Sequence, residues 1–134
     1  IHVYGIDINN KMKITKTLNQ IFKKHQFSFF DLVIDDGSHN LSDILFSLNF
    51  FFEYLKEDGT FIIEDFKHPN YYQYNRDMDH ILVDEFLDNI KNKKFSISSI
   101  INKEEQKKLM NSIKDIDLRK GNLSDSDICF LKKK

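Results

Sequence analysis

Hydrophobic and polar positions change period several times along this chain. "IHVYGIDI" (Ile1–Ile8) places Ile1 and Val3 on one alternating face and Tyr4 and Ile6 on the other. A run apolar on both faces predicts a strand covered on both sides, as in a parallel sheet. "ITKTLNQIFKKHQF" then puts Ile14, Leu18, Ile21 and Phe22 at helical spacing. "FFDLVIDDG" returns to strand character from Phe29 to about Asp35, and Gly37 permits a sharp turn after it. Leu41, Ile44, Leu45, Leu48, Phe52 and Leu55 form the next helical stripe, with Ser38 or Asn40 as N-cap. "EDG" closes this helix, with Gly59 expected as its left-handed terminal residue. "TFIIEDF" (Thr60–Phe66) predicts the third strand.

After "KHPNYYQYNRD", which holds the single proline, the pattern predicts a helix from about Asp79 to Lys91 with Leu82, Phe86 and Ile90 on one face. "IDLRKG" and "DICFLKK" flank Gly121 and an Asn-Ser-Asp-rich turn, which predicts an antiparallel hairpin. Strand, helix, strand, helix, strand, helix and hairpin is an α/β order. It predicts one domain over 1–134, with a mostly parallel sheet, helices on both faces and a C-terminal antiparallel hairpin. Ligands of such sheets bind beyond the carboxyl ends of the strands.

Three of the expected strands end in acid there: the first at Asp7, the second at Asp35 and Asp36, the third at Glu64 and Asp65. Singly, each acid is explained as a turn former or helix cap. Two acidic pairs at neighbouring strand tips are harder to explain that way. Like charges at close range repel, and a divalent cation resolves the conflict; hard Mg²⁺ or Ca²⁺ prefers oxygen ligands. Strand alternation lets only one of Asp35 and Asp36 point cleanly into such a site. His39 follows at the start of the next helix. A helix N-terminus and a nearby cation both favour the neutral ring, which can accept a proton.

Composition narrows the classes further. Charged residues are 31 %, hydrophobic ones 40 %, and the formal net charge is −1, so nothing points to nucleic acid or a membrane surface. The longest apolar stretch is interrupted by Ser47, Asn49 and Glu53 and does not suit a bilayer span. Thirteen Phe and no Trp suggest compositional drift before function. The single cysteine, Cys129, excludes an internal disulfide and is expected to be a packed core thiol in a reducing compartment. No charged-then-apolar leader opens the chain, so a cytoplasmic location is expected. The chain has no initiator Met and opens in strand-like residues, which fits a fragment or a processed or incomplete sequence.

"VYGIDI", "FDLVIDDGSHN", "LKEDGTFIIEDF" and "DSDICFLKK" together resemble class I S-adenosylmethionine-dependent methyltransferases. More narrowly, they resemble the metal-dependent sugar O-methyltransferases of the macrocin and mycinamicin antibiotic pathways and the related novobiocin enzyme. "IDDGSH" followed by "IEDF" is the specific signal; the likeness thins across Lys67–Lys120. The resemblance implies a Rossmann-like fold and an O-methyltransferase that uses S-adenosylmethionine and Mg²⁺ on a sugar-like vicinal diol. It implies Asp36, Glu64 and Asp65 as metal ligands and His39 as general base. Asp7 would accept hydrogen bonds from the donor's ribose hydroxyls, with Asp35 also on the donor side.

The departures are as specific. No Gly-rich strand–loop is present, since the four glycines stand at 5, 37, 59 and 121. The first strand present matches the family's second, and "MKITK" is at most a remnant of a further strand. A truncated, non-catalytic module for assembly or binding is therefore the competing reading, and homo-oligomerisation stays open. A receiver-type phosphoryl site also clusters strand-end acids, but no strand here ends in a suitable Lys. Tyr71, Tyr72 and Tyr74 either line an acceptor pocket or pack as loop aromatics.

Overall fold

The structure is a computed structural model and describes residues 2–6, 8, 10–67, 73, 77–123 and 126–134. Helix α1 (Lys11–His25) starts where the Asn10 side chain accepts from the Lys13 N–H at 3.0 Å. It ends in a left-handed Gln26 whose N–H reaches the Phe22 carbonyl. Ile14, Leu18 and Ile21 are its buried stripe. Strand β1 (Phe30–Asp35) follows, then helix α2 (Leu41–Phe51), which tightens into a 3₁₀ turn (Phe52–Tyr54). Strand β2 (Leu55–Glu64), helix α3 (Val83–Lys91), helix α4 (Lys103–Ser112), strand β3 (Ile113–Arg119) and strand β4 (Ile128–Lys133) complete the described elements.

The sheet order is β1-β2-β4-β3. Among the described residues β1 and β2 alone pair in parallel; β2 with β4 and β3 with β4 are antiparallel. The expected mostly parallel sheet is therefore replaced by a mixed one. The hairpin inserts its second strand directly against β2, and the expected Ile1–Ile8 strand is absent among its described residues. The described residues of that segment pair with no strand, and Val3 is 90 % exposed. "MKITK" lies within α1 rather than in any strand.

One core dominates. Phe61 and Ile63 of β2, Ile116 of β3 and Cys129 and Leu131 of β4 meet α2, α3 and α4 on a single face of the sheet. Each fully buried side chain of this size contributes roughly 1.5–3 kcal/mol. Helices on both faces were expected; instead Leu32 and Ile34, pointing the other way from the β1 edge, are 46 % and 52 % exposed. A second cluster ties α1 to α2 through Ile14, Leu18 and Phe50, backed by Phe22, Phe30, Phe46, Phe51 and Tyr54. The ring centroids of Phe22 and Phe27 lie 5.1 Å apart and those of Phe22 and Phe30 5.3 Å, so part of the Phe excess is packing.

Three boundaries differ from the sequence pattern. The second helix stops at Phe51, and Leu55 already belongs to β2, where it pairs with Phe30. The left-handed residue is Asp58 (φ 56°), not Gly59. Gly59 is needed for space: a Cβ there would meet the Lys56 carbonyl oxygen at 2.8 Å. The helix expected from Asp79 begins at Val83, because Asp79 is buried and engaged elsewhere. Helix α4 was not anticipated, although Asn102 and Glu105 form a capping box visible as N-x-x-E. Its Gln106, 1 % exposed, bonds the Ser96 N–H and the carbonyls of Ser96 and Ile101.

Candidate metal and catalytic site

The chain leaves β1 at Asp35 and enters α2 at Leu41, with only "DGSHN" between. Gly37 passes so close that a Cβ would stand 3.1 Å from Asp35 Oδ1. The Ser38 hydroxyl donates to Asp43 Oδ2 at 2.5 Å and accepts from the Asn40 N–H at 3.3 Å, pinning the turn to the first turn of α2. Asn40 occupies the N-cap position, its carbonyl accepting from the Ile44 N–H at 3.0 Å. His39 adopts a left-handed backbone (φ 57°).

On the neighbouring strand, Glu64 is the last residue of β2 and Asp65 the first beyond it. Asp65 is also left-handed (φ 51°), and its N–H donates to the Asp127 carbonyl at 3.0 Å. Backbone of this kind away from glycine concentrates at functional sites. Asp36, His39 and Asp65 each offer a ligand atom, and these atoms lie within 4.8 Å of one another. His39 Nε2 is 4.0 Å from Asp36 Oδ1. The group stands at the carboxyl end of the parallel pair, as expected for an α/β ligand site.

Two carboxylates and an imidazole suit a divalent cation. Mg²⁺ prefers the oxygens, and an imidazole beside such an ion is able to serve as a further ligand or as a base. Glu64 lies outside this group of three. Successive strand residues face opposite ways, and only the left-handed turn at Asp65 brings that residue back. Asp7 lies outside the described residues, as do Tyr71, Tyr72 and Tyr74.

Asp35 points to the inner face, toward α2. Burial pushes its carboxyl above the usual carboxylate range, against the opposing pull of a hydrogen bond from Ser47 and another from the Gly37 N–H. Its Oδ2 is buried without a hydrogen-bond partner. A cavity of about 590 Å³ opens alongside, with Asp35 and Asp36 at its polar end and Ile6, Leu18, Ile21 and Leu32 along its apolar wall. Cys129 is fully buried, and desolvation followed by the charge of Asp117 pushes its thiol up to about 12, an inert core thiol as expected.

One cluster beside the site had no signal in the sequence. Lys67 Nζ lies 3.1 Å from Asp84 Oδ2, in the first turn of α3, and 3.4 Å from Asp127 Oδ2, just before β4. Burial pulls the ammonium down, but the two carboxylates outweigh it and hold its pKa above the ordinary lysine value. The partners are 17 and 60 residues away in sequence, so no local pattern joins them.

No protein-family model matches the sequence, and no curated protein matches it. Solved structures do. The MycE methyltransferase from the mycinamycin biosynthetic pathway, in complex with Mg and SAH, aligns over 98 % of this chain with a TM-score of 0.60 and 19 % identity. The chain has a methyltransferase-like fold. MycE in complex with Mg, SAH and mycinamycin VI aligns over 98 % of the chain at 0.58 and 21 % identity. A second crystal form with Mg and SAH aligns over 98 % at 0.57 and 19 %. The chain spans about a third of these structures, 31–32 % of their length. What the chain shares with them is the architecture. The methyltransferase-like sheet carries its acidic group at the tip of the β1–β2 pair.

Proposed function

We propose that this chain is the metal- and acceptor-handling portion of an S-adenosylmethionine-dependent, Mg²⁺-dependent O-methyltransferase acting on a small molecule with a sugar-like vicinal diol. The observation that carries the reading is the convergence of Asp36, His39 and Asp65 within 4.8 Å at the β1–β2 tip. The MycE structures, with Mg, SAH and in one case mycinamycin VI, support the same cofactors and a small-molecule acceptor.

Asp36, Glu64 and Asp65 are the proposed cation ligands. Mg²⁺ held there would supply Lewis acidity that makes an acceptor hydroxyl easier to deprotonate. His39 takes the hydroxyl proton on a ring nitrogen, one of which lies 4.0 Å from Asp36 Oδ1. Asp7 and Asp35 serve the donor side. The adjacent cavity of about 590 Å³ falls within the range of small-molecule sites. S-adenosylmethionine, when bound, would supply the methyl group, and much of the acceleration would come from holding the acceptor hydroxyl in alignment with it. A cytoplasmic location is proposed with this activity; among the described residues no helix is long and apolar enough to cross a membrane.

The test is transfer of labelled methyl from S-adenosylmethionine to a panel of vicinal diols, with Mg²⁺ and with EDTA, for the wild type and Asp36→Ala. Transfer that needs Mg²⁺ and is lost in Asp36→Ala supports the proposal. Mg²⁺-independent transfer, or full activity in Asp36→Ala, overturns the metal role.

The half-exposed Leu32 and Ile34 at the sheet edge favour a second reading, a non-catalytic module that pairs with another chain. Absence of S-adenosylmethionine binding by calorimetry, together with stable association through β1, would select it.

A further inference from the structure

We infer that Lys67 is a positioning residue for the cation site, bridging Asp84 and Asp127 so as to hold the turn that presents Asp65. The inference rests on the proposed cation site and adds a residue to it. Three consecutive residues are anchored in three directions. The Asp65 N–H donates to the Asp127 carbonyl at 3.0 Å. Phe66, 4 % exposed, enters the main core. Lys67 Nζ reaches Asp84 Oδ2 at 3.1 Å and Asp127 Oδ2 at 3.4 Å. Asp127 therefore grips the turn twice, through its carbonyl and through its carboxylate. Its other carboxylate oxygen accepts from the Gly121 N–H at 3.4 Å, at the foot of the hairpin.

Asp84 and Asp127 converge on one ammonium and are both largely shielded, at 24 % and 13 % side-chain exposure. Asp84 Oδ1 is buried and makes no hydrogen bond. Without Lys67 the two carboxylates would repel, and the start of β4 would move away from α3. The Asp127 carbonyl would move with it, and Asp65 would lose the contact that supports its left-handed turn. Buried pairs that lose one member leave the other charge uncompensated.

Charge and position predict opposite signs, which makes the inference testable. Removing a cation near a metal site strengthens cation binding if charge alone matters. If Lys67 acts by position, its removal weakens binding. The experiment is titration of the chain with Mn²⁺ alone, followed by electron paramagnetic resonance, for the wild type, Asp36→Ala, Lys67→Met and Lys67→Arg. Should Lys67→Met not fold, Lys67→Gln takes its place. We expect Asp36→Ala to abolish binding, Lys67→Met to weaken it roughly 10- to 100-fold, and Lys67→Arg to restore most of the affinity. Unchanged or tighter binding in Lys67→Met, with Asp36→Ala still inactive in binding, overturns the positioning role alone. Tight binding that survives in an Asp36→Ala/Lys67→Met double variant places the ion on Asp84 and Asp127 and overturns it too. Wild-type binding in Asp36→Ala overturns the cation site and the positioning role together.

Discussion

His39 faces Asp36 across a turn of two residues, Nε2 standing 4.0 Å from Oδ1. The separation is longer than a hydrogen bond, and Asp65 supplies a third polar atom within the same 4.8 Å. The spacing admits two roles for the imidazole, ligand or base, and they separate experimentally. His39→Asn is expected to lower methyl transfer by about 10²- to 10⁴-fold while Mn²⁺ affinity changes little. Parallel turnover and Mn²⁺ titrations check this. Loss of affinity in step with activity would make His39 a ligand.

Asp79 is expected to be one of the most stabilising polar residues. It is 6 % exposed and accepts from the His80 N–H at 2.8 Å, the Ser99 N–H at 2.9 Å and the Ser98 hydroxyl at 2.5 Å. Burial raises its pKa, but the hydrogen bonds from Ser98, Ser99 and His80 together outweigh it and leave the carboxyl below its usual range. A depressed folded pKa means that the unfolded chain takes up protons first as pH falls. The stabilisation is therefore complete above the ordinary carboxylate pKa and lost as pH drops through the lower folded value. Urea unfolding of Asp79→Ala should show a loss of about 2–4 kcal/mol at neutral pH, with the gap to wild type narrowing in acid.

Gly59→Ala should cost about 1–3 kcal/mol through collision rather than backbone angle. The added Cβ would meet the Lys56 carbonyl oxygen at 2.8 Å and Leu55 Cβ at 3.2 Å. Leu55 is fully buried, so the turn has little room to give. Thermal unfolding measures the effect. An unchanged melting temperature would mean that the turn opens without penalty.

The β1 edge should govern self-association. Ile34 and Leu32 leave a half-open apolar strip beside unpaired backbone. Ile34→Lys is expected to reduce concentration-dependent light scattering and to change stability by no more than about 0.5 kcal/mol. Equal scattering by both proteins would place any association elsewhere.

Much of this was legible along the chain because local periodicity carries it. Ile14, Leu18 and Ile21 announce α1, and the short apolar runs in "DLVID" and "FIIE" announce β1 and β2. Asp36, His39 and Asp65 stood out because acids and a ring next to strand ends are conspicuous. The same local signal misled at Ile1–Ile8, where the described residues meet no strand partner. It also misled at Asp79, which reads as a helix start but is held by Ser98 and Ser99.

By itself the amino-acid order determined α1, β1, α2, β2 and the two strands of the closing hairpin, and the acids that stand at the tips of β1 and β2, since these follow from spacing within about ten residues. Only the tertiary structure decided that β4 lies between β2 and β3, that Asp65 rather than Glu64 joins Asp36 and His39, and that Lys67 meets Asp84 and Asp127. Those outcomes depend on contacts between residues far apart in the chain, set by packing of the whole sheet against its helices, and no local pattern encodes them.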